Sequence, residues 1–151
     1  MSQTIAVISD THGLLRPEVV ERIKTCDVIL HAGDFADPKT HETLLALGPP
    51  LIAVRGNNDN WSRTLPHWLE TEVAGLKLVM AHTRDYLPPA FTTADLVVFG
   101  HTHRWFSQRQ GDTLWLNPGS CGYPRFGLPL TYAILTVEEG TVRVEQVPIK
   151  P

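Results

Sequence analysis

The sequence predicts an α/β protein with mixed β-sheets, two of them packed face to face with helices outside. Its first half alternates short apolar runs with helix-like segments, the pattern of βαβ units. Its second half joins strand-like runs by turn signals and ends in an alternating hairpin. A third observation concerns function. Five of the apolar runs end on Asp, His or Asn, and no fold needs those residue types at so many strand ends.

The elements follow in order. Run 5–8 is a strand leading into Asp10-Thr11-His12. Residues 16–24 read as a helix, with Pro17 in its first turn and Val19, Val20 and Ile23 on one face. Run 28–30 is the next strand and leads into Gly33-Asp34. The second helix is capped by Asp37 and begins at Pro38. It carries Leu44, Leu45 and Leu47 as a core stripe and stops before Gly48. Run 51–54 leads into Gly56-Asn57. Two strands over 68–73 and 76–81 meet around Ala74-Gly75, and the second leads into His82. Run 96–99 leads into Gly100-His101-Thr102-His103. A short strand over 114–116 follows. Strands over 131–137 and 141–147 then form a hairpin at Glu139-Gly140, with Val142 and Val144 on one face and Arg143 and Glu145 on the other. The first-half strands are continuously apolar, as expected where both faces are covered.

At 151 residues the chain suits one domain, 1–151, with one sizeable core. The hydrophobic fraction of 42% is that of a soluble globular protein. A net charge of -3 argues against a broad footprint for long nucleic acid. Cys26 and Cys121 make no disulfide framework, which points to a reducing compartment. Met1-Ser2-Gln3-Thr4 runs straight into a strand with no signal peptide, and no apolar run reaches the roughly 20 residues a membrane span needs. A cytoplasmic protein without membrane partners is expected; self-association into a homo-oligomer is left open.

In open α/β sheets, ligands bind beyond the carboxyl ends of the strands. The polar residues there are Asp10, His12, Asp34, Asn57, His82, His101 and His103. This mix of oxygen and nitrogen donors suits Mn, Ni, Co, Fe or Zn better than Mg or Ca, which prefer oxygen shells; Mn is the first expectation. Asp10-x-His12 and His101-x-His103 would share a face if extended, and a loop would also bring them together. Gly33 and Gly56 suit a sharp turn off a strand. Asp34 has two oxygens, one for each of two divalent ions about 3.5–4 Å apart, a pair able to clamp an in-line displacement at phosphorus. Two such ions outweigh the charges of Asp10 and Asp34, so the site stays cationic and attracts phosphate.

Taken in order, Asp10-Thr11-His12-Gly13, Gly33-Asp34, Gly56-Asn57-Asn58-Asp59, His82 and Gly100-His101-Thr102-His103 resemble the calcineurin-like metallophosphoesterases. Asn117-Pro118-Gly119-Ser120 resembles the family's small stand-alone phosphodiesterase branch. The resemblance covers nearly the whole chain. It implies a four-layer αββα sandwich of two mixed β-sheets flanked by helices. It also implies one metal held by Asp10, His12, Asp34 and His103, and a second held by Asp34, Asn57, His82 and His101, with Asp34 bridging. Asp34, Asn57 and His101 are the catalytic candidates, the last two steadying phosphoryl oxygens. The substrate implied is a small phosphodiester. Alternatives are a phosphomonoesterase or nucleotide phosphatase, and a non-catalytic scaffold like the retromer subunit of this fold, whose metal site is degraded. One position departs from the family. Asn58 stands where many larger relatives carry a histidine proposed to protonate the leaving oxygen. An amide donates a hydrogen bond but is no useful proton donor.

Other residues carry competing readings. His31 would orient a ligand or simply be a satisfied core histidine. His41 and His67 read as surface residues, and Cys121 as a small packed one. The 117–120 segment is a turn, and by resemblance a wall of the site. Arg125 and Arg55 are candidates for phosphate contact or plain solvated arginines. Trp61 could stack on an aromatic substrate, but packing is the expectation for it and for Trp68, Trp105 and Trp115. Asp59 and Asp85 receive no metal role.

Overall fold

The computed structural model describes residues 2–87 and 94–150. In chain order its elements are β1 (Ser2–Ile8), α1 (Pro17–Ile23), β2 (Val28–His31), α2 (Pro38–Leu45), β3 (Leu51–Ala53), β4 (Trp68–Val73), β5 (Leu76–Ala81), a 3-10 turn (Arg84–Tyr86), β6 (Leu96–Val98), β7 (Phe106–Gln110), β8 (Thr113–Asn117), β9 (Leu130–Glu138) and β10 (Thr141–Ile149). They form two mixed five-stranded sheets, ordered β10-β9-β1-β2-β3 and β4-β5-β6-β8-β7. β1, β2 and β3 run parallel, as do β5, β6 and β8. In the first sheet β9 pairs antiparallel with both β1 and β10, and in the second β4 and β7 pair antiparallel with β5 and β8.

Alternation along continuously apolar strands builds the layers. Ile5, Val7, Val28 and Leu30 face Leu78, Met80, Leu96, Val98 and Leu116 across a core shared by the two sheets. Ala6, Ile8 and Ile29 point the other way, onto Val19 and Ile23 of α1 and Leu44 of α2. The expected sandwich of two mixed sheets is borne out. Both α-helices cover the first sheet. Behind the second sheet, the described residues place Leu87, Ala94 and Trp115 against Val79 and Val97.

Local chemistry sets the helix ends. The Asp37 side chain accepts the Thr40 N–H at 2.7 Å and caps α2, with Pro38 in its first turn. The first helix is one residue shorter at each end than predicted, Arg16 and Lys24 forming its caps. Leu45 departs from the predicted stripe and is 53% exposed, because it sits about 100° around the helix from buried Leu44. Trp68 also departs from the packing expected of it, at 43% exposure. It alternates with inward-facing Leu69 on edge strand β4. Strand β7 was not anticipated. Phe106-Ser107-Gln108-Arg109-Gln110 lacks an apolar period and becomes a strand by pairing with β8 at the sheet's edge. The hairpin runs longer than predicted. Val142 and Val144 face the core between the sheets, whereas Val147 and Ile149 join the helix-side core.

Candidate metal centre

All seven candidate ligands lie beyond the carboxyl ends of five strands, drawn from both sheets. The first sheet supplies Asp10 and His12 after β1, Asp34 after β2 and Asn57 after β3; the second supplies His82 after β5, and His101 and His103 after β6. The loops are sharp. Asp10 (φ 56°), His12 (49°), Asp34 (66°), His101 (74°) and His103 (62°) are all left-handed, five of the nine such non-glycine residues described. Left-handed backbone is uncommon for residues with a side chain, although Asp and His adopt it more readily than most, and it concentrates at functional sites. Asp10-x-His12 and His101-x-His103 are therefore brought together by loops, not by extended backbone.

The two glycines serve different needs. Gly33 has φ +106°, and a Cβ there would stand 2.8 Å from His82 Nδ1. Gly56 is needed for space, since a Cβ would collide with the Asp34 carboxylate and backbone nitrogen.

Asp10 Oδ1 stands 3.7 Å from His12 Nε2, 3.5 Å from His103 Nε2 and 3.9 Å from His82 Nε2. Asp34 Oδ2 stands 3.3 Å from His82 Nε2 and 3.6 Å from His12 Nε2. Two triads have ligand atoms within 4.8 Å of one another: Asp10, His12 and His103, and Asp10, Asp34 and His82. Asp10 is common to both. Asn57 and His101 join them at the solvent side. The His101 ring is edge-on to His82 at 5.1 Å and exposed.

These residues fit a cation. Asp10 Oδ1 and His12 Nε2 are buried without a hydrogen-bond partner among the described residues. Their spacings are too long for hydrogen bonds, but atoms sharing one ion at about 2.1 Å stand roughly 3–4 Å apart. The Asn57 amide oxygen faces only acceptors, His82 Nε2 at 2.9 Å and the Asp34 oxygens at 3.1 and 3.2 Å. Turning the amide over would convert these contacts to hydrogen bonds; a cation would make the oxygen-inward orientation the favourable one.

Protonation suits the same role. Burial opposes ionisation of Asp10, but the imidazoles of His12, His82 and His103 and the Ser9 hydroxyl hold it below the usual range. Asp34 is likewise lowered against its burial by His82, the Asn58 N–H and His12. Burial keeps the His103 ring neutral by lowering its pKa. The His82 pKa is raised despite burial, by Asp34 and Asp10. Its Nδ1–H donates to the Ala32 carbonyl at 2.8 Å, which turns Nε2 toward the carboxylates. An ion there would displace any proton on Nε2.

The supporting groups lie just outside. Ser9 Oγ and the His101 N–H donate to Asp10 Oδ2 at 2.7 and 3.1 Å. Asn58 donates its backbone N–H to Asp34 Oδ1 at 2.9 Å and its amide to Oδ2 at 3.2 Å. Asn117 Nδ2 donates to Gly100 O and Thr102 Oγ1, and Ser120 Oγ donates to Asp10 O. The 117–120 turn thus buttresses the histidine loop. Asp59 was underrated in the sequence. Fully buried, it accepts from the N–H groups of Asp34 (2.8 Å), Gly56 (2.9 Å) and Ala36 (3.0 Å) and from Trp61 Nε1 (3.1 Å). The one available signal was its spacing: an Asp three residues past Gly56 can fold back onto that glycine's N–H.

The remaining candidates separate clearly. His31 accepts the Gly33 N–H at Nδ1 (3.0 Å), so its Nε2–H donates to Thr11 Oγ1 (3.1 Å) while its ring stacks on Phe35 at 3.7 Å. It is a satisfied core histidine that ties two ligand loops together, one through the Gly33 backbone N–H and the other through the Thr11 hydroxyl. Trp61 packs against Phe35 and His41, so it is no free stacking surface. Cys121 is packed against Ser9 O, and burial pushes its thiol up to about 12. Arg125 is exposed, and its charge acts on His103. Beside it Phe126, 79% exposed and left-handed at φ 59°, meets the His103 ring at 5.8 Å.

Burial lowers the His31 pKa to about 3, against 6.5 for the ordinary group. Between those values the unfolded chain carries one more proton at this residue than the folded chain. The neutral ring's contribution is therefore complete above pH 6.5 and is lost as pH falls, by about 1.4 kcal/mol per unit. His31→Gln, which can keep both hydrogen bonds, should flatten the loss of stability between pH 6 and 4. Urea midpoints measured across that range check this; an unchanged slope contradicts it.

An Asp/His/Asn cluster at the strand ends of a two-sheet sandwich defines a metal-binding α/β class. Residues 4–140 match the model of the calcineurin-like phosphoesterase superfamily domain. The chain belongs to this superfamily, hydrolases acting on phosphoester bonds. Phosphodiesterase MJ0936 of Methanocaldococcus jannaschii is 29% identical over 92% of this chain and 96% of its own length. A probable metallophosphoesterase of Methanothermobacter thermautotrophicus is 33% identical over 83% and 81%. Phosphodiesterase YfcE of Escherichia coli K12 is 31% identical over 67% of the chain, which spans 60% of that relative. A solved archaeal phosphodiesterase superposes with TM-score 0.79 at 26% identity, covering 95% of this chain and 99% of its own. Vacuolar protein sorting 29 of Cryptosporidium parvum shares the fold, with TM-score 0.76 at 15% identity and 99% coverage of both chains.

Proposed function

We propose that the protein is a metal-dependent phosphodiesterase acting on small phosphodiesters. The observation that carries this is the orphaned Asp10 Oδ1 amid three imidazole nitrogens at 3.5–3.9 Å, beside the second carboxylate of Asp34. In this reading Asp10, His12, Asp34 and His103 would hold one divalent ion and Asp34, Asn57, His82 and His101 would hold a second, with Mn the first candidate. Two such ions would supply a nucleophile from water at neutral pH and positive charge facing the phosphoryl oxygens. Asp34 would be shared between the two sets, a reading its Oδ2 supports by lying within 3.6 Å of both His12 and His82. The preference for diesters rests on the relatives named as phosphodiesterases.

The chain's own residues do the positioning. His101 and Asn57 are exposed and border the buried ligands, where they can meet phosphoryl oxygens. Asn58 donates its backbone N–H and one amide N–H to Asp34, and an amide is no acid able to protonate the leaving oxygen. Rates should therefore fall steeply as the leaving group's pKa rises across a series of aryl phosphodiesters. A flat dependence would show that a proton is being supplied.

Purified protein loaded with Mn, assayed on a bis-aryl phosphate, tests the activity itself. Metal-dependent turnover is expected. Bound metal without turnover of diesters or monoesters would favour the scaffold reading, for which the likeness to vacuolar protein sorting 29 gives the fold.

A further inference from the structure

Beside the metal centre lies a cavity of about 240 Å³ lined by Arg55, Gly56, Asn57, Asn60, His67 and Tyr86. Asn57, a candidate ligand, forms part of its wall, so a group in the cavity adjoins the reacting phosphorus. One wall is aromatic. The His67 and Tyr86 rings stack at 5.0 Å with 30° between their planes, and Tyr86 is 46% exposed. The other lining groups are hydrogen-bonding: two amides and an arginine that makes no ion pair among the described residues. The volume is below the roughly 300–1,000 Å³ of sites for drug-sized ligands and suits a single ring system.

Both ends of the aromatic wall are anchored. The 3-10 turn is closed by Tyr86 N–H donating to Thr83 O at 3.2 Å. The guanidinium of Arg84, in the same turn, lies over Phe99 at 4.4 Å, Phe106 at 5.0 Å and Trp115 at 5.2 Å, tying the turn to the second sheet. On the other side, Arg55 N–H donates to Pro66 O at 2.7 Å, next to His67. A second cavity of about 210 Å³ borders His101, but its aromatic ring, Phe99, carries Arg84 over its face. Of these two cavities, among the described residues, the one at Tyr86 has the aromatic surface open to a ligand.

We infer that this cavity is the subsite for an aromatic ester group of the phosphodiester, an aryl ring or a nucleobase, and that Tyr86 determines that specificity. A planar ring would lie against the Tyr86–His67 pair, and the Asn57, Asn60 and Arg55 donors would meet any ring substituents. The inference rests on the proposed phosphoesterase reading and adds the substrate class.

Calorimetric titration of Mn-loaded protein with phenyl phosphate, methyl phosphate and adenosine 5′-monophosphate tests it. Phenyl phosphate should bind about 10-fold tighter than methyl phosphate, the scale of one ring stacked on an aromatic side chain. Tyr86→Ala should remove that preference and Tyr86→Phe should retain it, with circular dichroism confirming that both variants fold. Nucleotide tighter than phenyl phosphate assigns the subsite to a nucleobase; the reverse assigns it to a simple aryl group. No preference in the wild type, or a preference that survives Tyr86→Ala, overturns the inference. Turnover of the bis-aryl phosphate is read separately. Ring-selective binding without turnover would keep the subsite and remove the phosphodiesterase reading.

Discussion

Asp34→Asn is expected to lower kcat/KM on a bis-aryl phosphate by at least about 10²–10³-fold and to reduce the Mn bound per chain. The substitution keeps the shape and removes the charge. The side-chain oxygen can still accept the Asn58 N–H, now 2.9 Å away, and asparagine tolerates the left-handed φ of 66°. What disappears is an anionic oxygen within 3.6 Å of both His12 and His82. An amide placed there either presents an uncharged oxygen to the ions or turns an N–H₂ toward them. Losing one preorganised electrostatic partner of a phosphoryl-transfer site costs activity on the scale stated. Metal content by atomic emission, beside kinetics, checks this. Unchanged activity with full metal occupancy would end the bridging assignment. The same measurements on Asp10→Asn show which carboxylate matters more, since Asp10 is the residue common to both triads.

Asp59→Ala should destabilise the fold by about 3–5 kcal/mol without touching a candidate ligand side chain. It removes the acceptor for three backbone N–H groups and an indole N–H, two of the backbone groups being buried. Hydrogen bonds to a charged acceptor contribute roughly 1.5–3 kcal/mol each, and a buried donor left unpaired costs about 1–3 kcal/mol. The effects share one side chain and do not add in full. Asp59 also joins the Asp34 loop to the Gly56-Asn57 loop, so metal affinity should fall by about 10–100-fold. Urea unfolding of the metal-free protein and Mn titration read the two effects apart. A stability change under about 1 kcal/mol would show that solvent replaces the carboxylate. Asp59→Asn, which keeps one acceptor, should fall between.

Much of this was legible in the chain because it rests on local pattern. The runs at 5–8, 28–30 and 96–99 are short, apolar and bounded by turn residues, and each became a buried central strand. Asp37-Pro38 marked a helix start whose cap forms as expected. The residue types at the strand ends marked a candidate metal centre, because Asp, His and Asn have no packing reason to recur there. Phe106–Gln110 was illegible for the opposite reason: its strand character comes from its neighbour β8. Trp68 and Leu45 were misread because their exposure depends on which side of an element finds a partner.

By itself, the sequence determined the class of fold, the seven donor types and their order along the chain. These depend on periodicity and on side-chain chemistry, which do not change with context. Only the tertiary structure decided how the donors meet. Two sheets bring Asp10 and Asp34 against His82 and His103, although the chain separates them by dozens of residues. It also gave Asp59 its work of holding three loop N–H groups, and set the Tyr86–His67 pair beside Asn57. Distances of 3–4 Å between loops of different strands follow from how the sheets pack. No spacing along the chain encodes them.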